Sequence, residues 1–390
     1  MRKFSADYIF PVSSDPITDG VVAVDDDGTI IGLYARDSLL IPEGAVENLK
    51  GIIVPGFVNS HCHLELSHLK NKIAKDQTLI PFIKEVIEKR YSVTEDYETA
   101  MRDADTTMSQ NGIVAVGDIS NTDVSINTKA SSAIHYHTYV EVFCFNPEKV
   151  TETLNKGIEL KRKFEPLPVS IVPHAPYSVC KDLFKKIFAL ENTEENFLSI
   201  HNQESDEENK FYCDKSGDFV EFYKDLKYNI EFFKPQASSS IQSIVPLMRD
   251  RQRIMLVHNT YTSQKDLYFV RRFNKDITWC FCPNANFFIE RRLPKIDMFL
   301  KNDFNITLGT DSLASNDELC ILSELKAVHA HYPGLSFTKT IAWATLNGAR
   351  FLSIDDRFGS IEKGKRPGLN LISDTIGLEL SKKSSVKKLI

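Results

Sequence analysis

The chain has 390 residues, 42% of them apolar, and a formal net charge of −6. That apolar share supports a full buried core and excludes global disorder. The negative balance argues against a broad nucleic-acid or anionic-membrane surface. The length suits a barrel of roughly 250 to 300 residues with a smaller module attached.

From the N-terminus, residues 1–10 carry Arg2 and Lys3 but no long apolar stretch. Asp7 interrupts them and no cleavage pattern follows, so no secretion signal is read there. Residues 1–50 read as short strands. Val21–Val24, the turn at Asp26, Asp27 and Gly28, and residues 29–31 make a hairpin. At the far end, 359–368 is turn-rich and leads into the apolar run 369–372. The last ten residues hold four lysines, which reads as a solvated tail. The two ends are expected to pair into one small β-sandwich module, 1–50 with 358–390, flanking residues 51–357.

Between the ends lie eight strand candidates: 52–58, 112–119, 134–143, 169–173, 196–200, 254–257, 278–282 and 306–309. Helix-sized segments separate most of them. In residues 79–90, for example, Ile80, Ile83, Val86 and Ile87 keep helical spacing. Strands alternating with helices imply parallel units, and eight such units imply a closed (β/α)8 TIM barrel. No apolar run approaches the roughly 18 to 20 residues of a membrane span. The seven cysteines are irregularly spaced and read as reduced, buried thiols of a cytoplasmic protein.

Residues 205–235 begin acidic and turn aromatic, with Phe211, Tyr212, Phe219, Phe222, Tyr223, Tyr228, Phe232 and Phe233. Most of these rings are expected to pack an amphipathic helix onto the barrel. One or two, Phe211 among them, are expected to line a pocket, because barrel sites are built from the loops that follow strands.

The chemistry sits in five phrases. His61-Cys62-His63 alternates along an extended chain, so both imidazoles share a face. His201 ends 197–201, His258 ends 254–258, Asp311 follows 306–310, and His174 ends the strand-four run. Three histidines and a carboxylate at strand ends suit one divalent ion, zinc first and ferrous iron second, with a position open for water. A bound ion of this kind brings water toward a pKa of about 7. No lysine stands after strand four to bridge a second ion. Glu204, three residues after His201, is placed to carry a proton from that water to the substrate. His258 is read as a hydrogen-bond partner that orients the attacking water rather than as a fourth nitrogen ligand. Two further His-x-His pairs, His135/His137 and His329/His331, are read as structural.

These phrases resemble the amidohydrolase superfamily, in particular its mononuclear deaminase and chlorohydrolase branch. The likeness spans nearly the whole chain. It includes the Pro55-Gly56-Phe57-Val58-Asn59-Ser60 entry to His61, the His201-x-x-Glu204 step and Gly309-Thr310-Asp311-Ser312. Cys282-Pro283-Asn284-Ala285-Asn286 and residues 344–349 are also similar. The resemblance implies His61, His63, His201 and Asp311 as metal ligands, Glu204 as proton shuttle, and His258 with Asp311 as positioners of the attacking water. It implies hydrolytic removal of an exocyclic amino group from a nitrogen heterocycle, with release of ammonia. His174 matches the histidine that members acting on adenine nucleosides use to touch their ligand. Glu85 or Glu88 would then meet the sugar. Within enzymes the alternative is hydrolysis of another bond in a cyclic substrate such as guanine, cytosine, a triazine or a cyclic amide. Outside enzymes it is a non-catalytic barrel that binds a ligand. The expected partner is a small heterocyclic amine, with neither nucleic acid nor membrane. The oligomeric state is left open, a homo-oligomer among the options.

Overall fold

Short runs rich in Val, Ile and Phe become eight parallel strands in the computed structural model. It describes residues 1–91, 96–190, 196–273 and 275–390. The strands are β1 (Phe57–Cys62), β2 (Ile113–Ser120), β3 (His135–Val142), β4 (Val169–Pro173), β5 (Leu198–Asn202), β6 (Arg253–His258), β7 (Asp276–Phe281) and β8 (Asn305–Leu308). β1 to β4 form one parallel sheet and β5 to β8 another, each in chain order. At their C-terminal ends the sheets touch on both sides. The His201 amide donates to the His174 carbonyl at 2.9 Å, and the Thr310 amide to the His61 carbonyl at 3.0 Å.

Parallel neighbours need crossovers, and helices supply them. Val150–Phe164 follows β3, Lys181–Ala189 follows β4, and Ile321–His331 follows β8. Two further helices carry start signals: Asp96 caps Tyr97–Gln110 by accepting from the Glu98 amide, and Ser263 with Asp266 forms a reciprocal cap on Gln264–Val270. The expected 79–90 helix runs Leu79–Lys89. One apolar core, with the strands at its centre, takes in Trp279, Tyr139, Phe57 and Phe281, all fully buried.

The expected strand 52–58 is two strands. Ile52–Pro55 pairs antiparallel with 369–372, and Phe57–Cys62 joins the parallel sheet. Gly56 makes the hinge: a Cβ there would lie 2.3 Å from a methyl carbon of Val114. Ile52–Pro55 sits in a five-stranded sheet with strands from both chain ends. A second sheet has four strands, and one buried apolar cluster takes in Phe4 and Val22 of this sheet with Ile53, Leu369 and Leu389. Among the described residues no helix is long and apolar enough to cross a membrane. The seven cysteines are free, five of them buried.

Candidate metal centre

Because the strands run parallel, all their C-terminal ends open on one side. There they surround a cavity of about 460 Å³. β1 delivers His61 and His63 on one face and turns Cys62 away into the core, where burial pushes its thiol pKa up. β5 delivers His201, β6 His258, and the turn after β8 Asp311.

Four donor atoms converge. The Nε2 of His63 lies 3.1 Å from the Nε2 of His61 and 3.2 Å from that of His201. Asp311 Oδ1 lies 3.3 Å from His63 Nε2 and 3.7 Å from His61 Nε2. Ligands at 2.0 to 2.1 Å from a tetrahedral centre are separated by about 3.3 to 3.4 Å. The spacing therefore fits one small divalent ion. His63, His201 and Asp311 line the cavity, so the cluster faces it.

Hydrogen bonds around the cluster fix which atoms face inward. His201 Nδ1 donates to the His174 carbonyl at 3.0 Å, which leaves its Nε2 lone pair free. Ser315 Oγ donates to Asp311 Oδ2 at 2.6 Å, so Oδ1 is the oxygen turned to the histidines. Burial lowers His61 and His201 to about 3 and His63 well below its ordinary value, so the imidazoles are neutral donors. Gly309 backs the cluster. A Cβ at that position would meet the His61 Cβ at 2.7 Å, so only glycine lets β8 approach β1 this closely.

Beside the cluster sit Glu204 and His258, with Glu204 Oε1 3.6 Å from His258 Nε2. Asn286 Nδ2 donates to His258 Nδ1 at 3.2 Å and leaves Nε2 as the edge facing Glu204. Burial, then the carboxylates of Asp311, Glu290 and Glu208, pushes Glu204 well above the usual carboxyl range. A carboxyl raised in that way holds a proton more firmly than an exposed one, as a proton carrier must. His258 and Asp311 hold left-handed backbone, at φ of 71° and 58°. Such conformations cost about 1 to 3 kcal/mol each and collect at functional sites.

The remaining expectations divide. His174 lines the cavity, its Nδ1 2.6 Å from Ser178 Oγ. Glu85 is turned to other partners: it accepts from Gln77 Nε2 and the Ala74 amide and pairs with Lys89. Neither Glu85 nor Glu88 is on the cavity wall, because the inward face of their helix is taken by Leu79, Ile83 and Val86. Phe211 is fully buried behind the wall, stacked on Phe233 at 4.6 Å, and Phe222, Tyr223 and Tyr228 line the cavity instead. The other two His-x-His pairs, His135/His137 and His329/His331, form no such cluster among the described residues. His137 bonds Ser170, His329 bonds Thr340, and His331 bonds the Ala327 carbonyl.

Sequence reasoning missed several polar residues of the wall, Arg90, Asn121 and Glu141 among them. Glu141 was within reach of the alternation rule. On β3 it shares a face with His137 and Tyr139, which puts a carboxylate at that strand's C-terminal end. Arg90 and Asn121 carry no comparable signal.

Comparison with known proteins places the centre in a family. The sequence profile of the Amidohydrolase family matches residues 52–389. The chain belongs to that family. An adenosine deaminase of Helicobacter pylori is 26% identical over 358 residues, 90% of this chain and 86% of that protein. An aminodeoxyfutalosine deaminase of Nitratiruptor is 25% identical over 348 residues, 86% of this chain and 83% of that protein. The crystal structure of Helicobacter pylori aminofutalosine deaminase with methylthio-coformycin superposes with a TM-score of 0.83 at 22% identity, covering both chains completely. This last likeness concerns the fold.

Proposed function

We propose that this amidohydrolase is a metal-dependent hydrolytic deaminase of adenine nucleosides that lack a 5′-phosphate. The observation that carries the reading is the convergence of three imidazole nitrogens and the Asp311 carboxylate directly beside Glu204 and His258. The names of the two relatives point the same way. His61, His63, His201 and Asp311 hold one divalent ion per chain, zinc by the nitrogen-rich donor set and the tetrahedral spacing. When bound, that ion supplies Lewis acidity, which makes water a nucleophile at neutral pH.

The chain's own residues do the rest. His258 Nε2–H and Asp311 orient the attacking water toward the carbon that bears the amino group. Glu204 accepts the water's proton and delivers it to the adjacent ring nitrogen, which lets the carbon become tetrahedral. The hydroxyl now on that carbon gives up its proton by way of Asp311 to the amino group, the C–N bond breaks as the C=O forms, and ammonia leaves. His174 reaches a ring nitrogen or a sugar oxygen from the neighbouring strand end. The outer wall, with Phe82, Ile83, Phe143, Phe222 and Tyr223, is mostly apolar; of its cations, Lys149 and Arg90, the second is already paired with Glu65. Such a wall suits a sugar with an apolar or absent 5′ substituent better than a phosphate, which would want paired arginines or a glycine-rich helix start.

The two parallel sheets close into an eight-stranded barrel in this reading, supported by the amide bonds that join β4 to β5 and β8 to β1. Residues 1–50 and 358–390 form the flanking β-sandwich module, and 51–357 the catalytic unit. The protein acts in the cytoplasm on a small molecule. Ammonia release across adenosine, 5′-deoxyadenosine, methylthioadenosine, adenine, guanine, cytosine and a chlorotriazine tests the assignment, with metal content measured alongside. His174→Ala should raise KM for the nucleoside about ten-fold, the worth of one good hydrogen bond, and by more than it does for free adenine. Better turnover of guanine, cytosine or the triazine than of every adenosine derivative would remove the nucleoside assignment.

A further inference from the structure

Gln203 immediately precedes the proton carrier Glu204, and its backbone is left-handed, at φ of 45°. That conformation is unfavourable in a residue other than glycine and persists only where the surroundings impose it. Here they impose it at every polar group the residue has. Its amide donates to Glu208 Oε1 at 3.0 Å, and its carbonyl accepts from the Tyr261 amide at 2.9 Å. Its side-chain Oε1 accepts from Thr262 Oγ1 at 2.7 Å. Nε2 donates to Asn209 Oδ1 at 2.9 Å and to Asp266 Oδ2 at 3.3 Å. Against burial, hydrogen bonds from Ser239 and Ser263 keep Asp266 below the usual carboxyl range. An ionised Asp266 can only accept, which fixes the orientation of the Gln203 amide. Gln203 is fully buried and is not one of the residues lining the cavity.

The partners come from outside its own turn. Glu208 and Asn209 lie on the helix Asp206–Asp214; Tyr261, Thr262 and Asp266 lie on the turn after β6 and the helix it enters. Asn202 and His258 are register partners at the ends of β5 and β6. The first turn continues through Gln203 to Glu204, the second through Asn259 to Thr262. Glu204 and His258, one from each turn, approach to 3.6 Å. In the proposed reaction Glu204 takes a proton from the same water that His258 orients. The span between the two turns therefore decides whether one water can meet both groups. A misplacement of about 1 Å can cost about 10²-fold in rate.

We infer that Gln203 is a positioning residue: by bonding the turn after β5 to the turn after β6, it sets the separation of Glu204 from His258. The inference rests on the hydrolytic reading above, and on no particular choice of substrate. Gln203 acts through Glu204. A glutamine suits the place because it offers an acceptor to Thr262 and donors to Asn209 and Asp266. Glutamate would face Asp266 with a second carboxylate, and asparagine is one carbon short.

The test is a double-mutant cycle on the metal-loaded enzyme, with the best substrate of the panel above. Gln203→Met keeps the length of the side chain and removes its hydrogen bonds. It should lower kcat about ten- to a hundred-fold and leave KM within about two-fold and metal content unchanged. In the Glu204→Gln background no proton carrier is left to misplace, so the same change should cost less than about three-fold. Residual ammonia release there is read in long incubations; where none is detected, the split between kcat and KM decides. Thr262→Val removes one donor on the opposite turn. It should show the same pattern with a loss of about three- to ten-fold, the worth of one neutral hydrogen bond. It carries the cycle if Gln203→Met does not fold. A purely structural role would lower kcat by the same factor in both backgrounds, in step with the melting temperature. That result, loss of metal in the variants, or a rise in KM equal to the fall in kcat would overturn the assignment. If wild type released ammonia from nothing on the panel, the reading of function would fail and this inference with it. If wild type worked and the cycle were additive, only this inference would fail.

Discussion

The floor and the outer wall of the cavity are built in different ways. Each functional group of the floor stands at or just after the end of a strand, and its neighbours are other strand ends held by backbone hydrogen bonds. The outer wall is assembled from the Leu79–Lys89 helix, the residues after β3 and the helix Asp218–Asp225 with its following turn. Its aromatic side chains are held by packing, as where Phe145 stacks on Tyr223 with centroids 5.0 Å apart. Strand register fixes an atom to a fraction of an ångström and tolerates no slip. A packed aromatic wall tolerates exchange of one apolar shape for another. Chemistry is thus built into the floor, while substrate choice is left to the wall.

The sharpest test of that division is Glu204→Gln. It should leave the metal in place and lower turnover by about 10² to 10⁴-fold, the usual contribution of a general acid–base. Elemental analysis and steady-state kinetics on one preparation check both halves. Wild-type turnover in the variant would remove Glu204 from the reaction.

Gly309→Ala probes the floor without touching a functional group. Its Cβ would sit 2.7 Å from the Cβ of His61. The strands must part, at about 1 to 3 kcal/mol of overpacking, and metal affinity should fall roughly 10- to 100-fold, as for other disturbed ligand supports. Competition with a chelator reads this directly. An unchanged affinity would show that His61 follows the strand freely and that register is not what fixes the floor.

The floor should also respond to acid while the wall does not. Burial holds His61, His137 and His201 near 3, against about 6.5 in an unfolded chain. Between these values the unfolded chain binds more protons, so stability rises with pH there. The contribution is complete above about pH 6.5 and is lost as pH falls toward 3, at up to about 1.4 kcal/mol per unit for each histidine. In chelated protein, the denaturation midpoint should drop over this window. His137→Gln, away from the metal cluster, should flatten the slope by one histidine's share. A slope that is the same in the variant would mean that His137 is protonated in the fold.

The smallest effect belongs to the wall. Phe222→Ala should change KM for 5′-substituted nucleosides a few-fold and leave metal content and adenine turnover alone, as competition between nucleosides would show. A fall in kcat on every substrate would mean that the wall also shapes the floor.

The same division decides what was legible in the sequence. His61, His63, His201, His258 and Asp311 could be placed because a strand end is visible as an apolar run that stops at a polar residue. Seven of the eight strands fall within a few residues of expectation for that reason. The first was misjudged because Gly56 splits a single apolar run between two sheets, and periodicity alone does not show a change of partner. The wall was not legible. Whether Phe211 or Phe222 faces the cavity depends on how two short helices, Asp206–Asp214 and Asp218–Asp225, pack on each other. The family resemblance offers Glu85, but Lys89 one turn on captures it. Asn121 and Arg90 are defined by contacts between residues distant in the chain, which no local pattern encodes.

The left-handed backbone at His258 and Asp311 has a consequence for the protein's evolvability. A library selected only for thermal stability would find gain at these two positions, since glycine or asparagine relaxes the conformation that histidine and aspartate are forced to hold. Each such gain removes a functional group. Drift toward robustness would therefore silence the centre while leaving the fold intact. Stabilising substitutions that preserve activity have to be sought at left-handed positions away from the centre, such as Val12, Asp19 and Asp374 in the terminal segments.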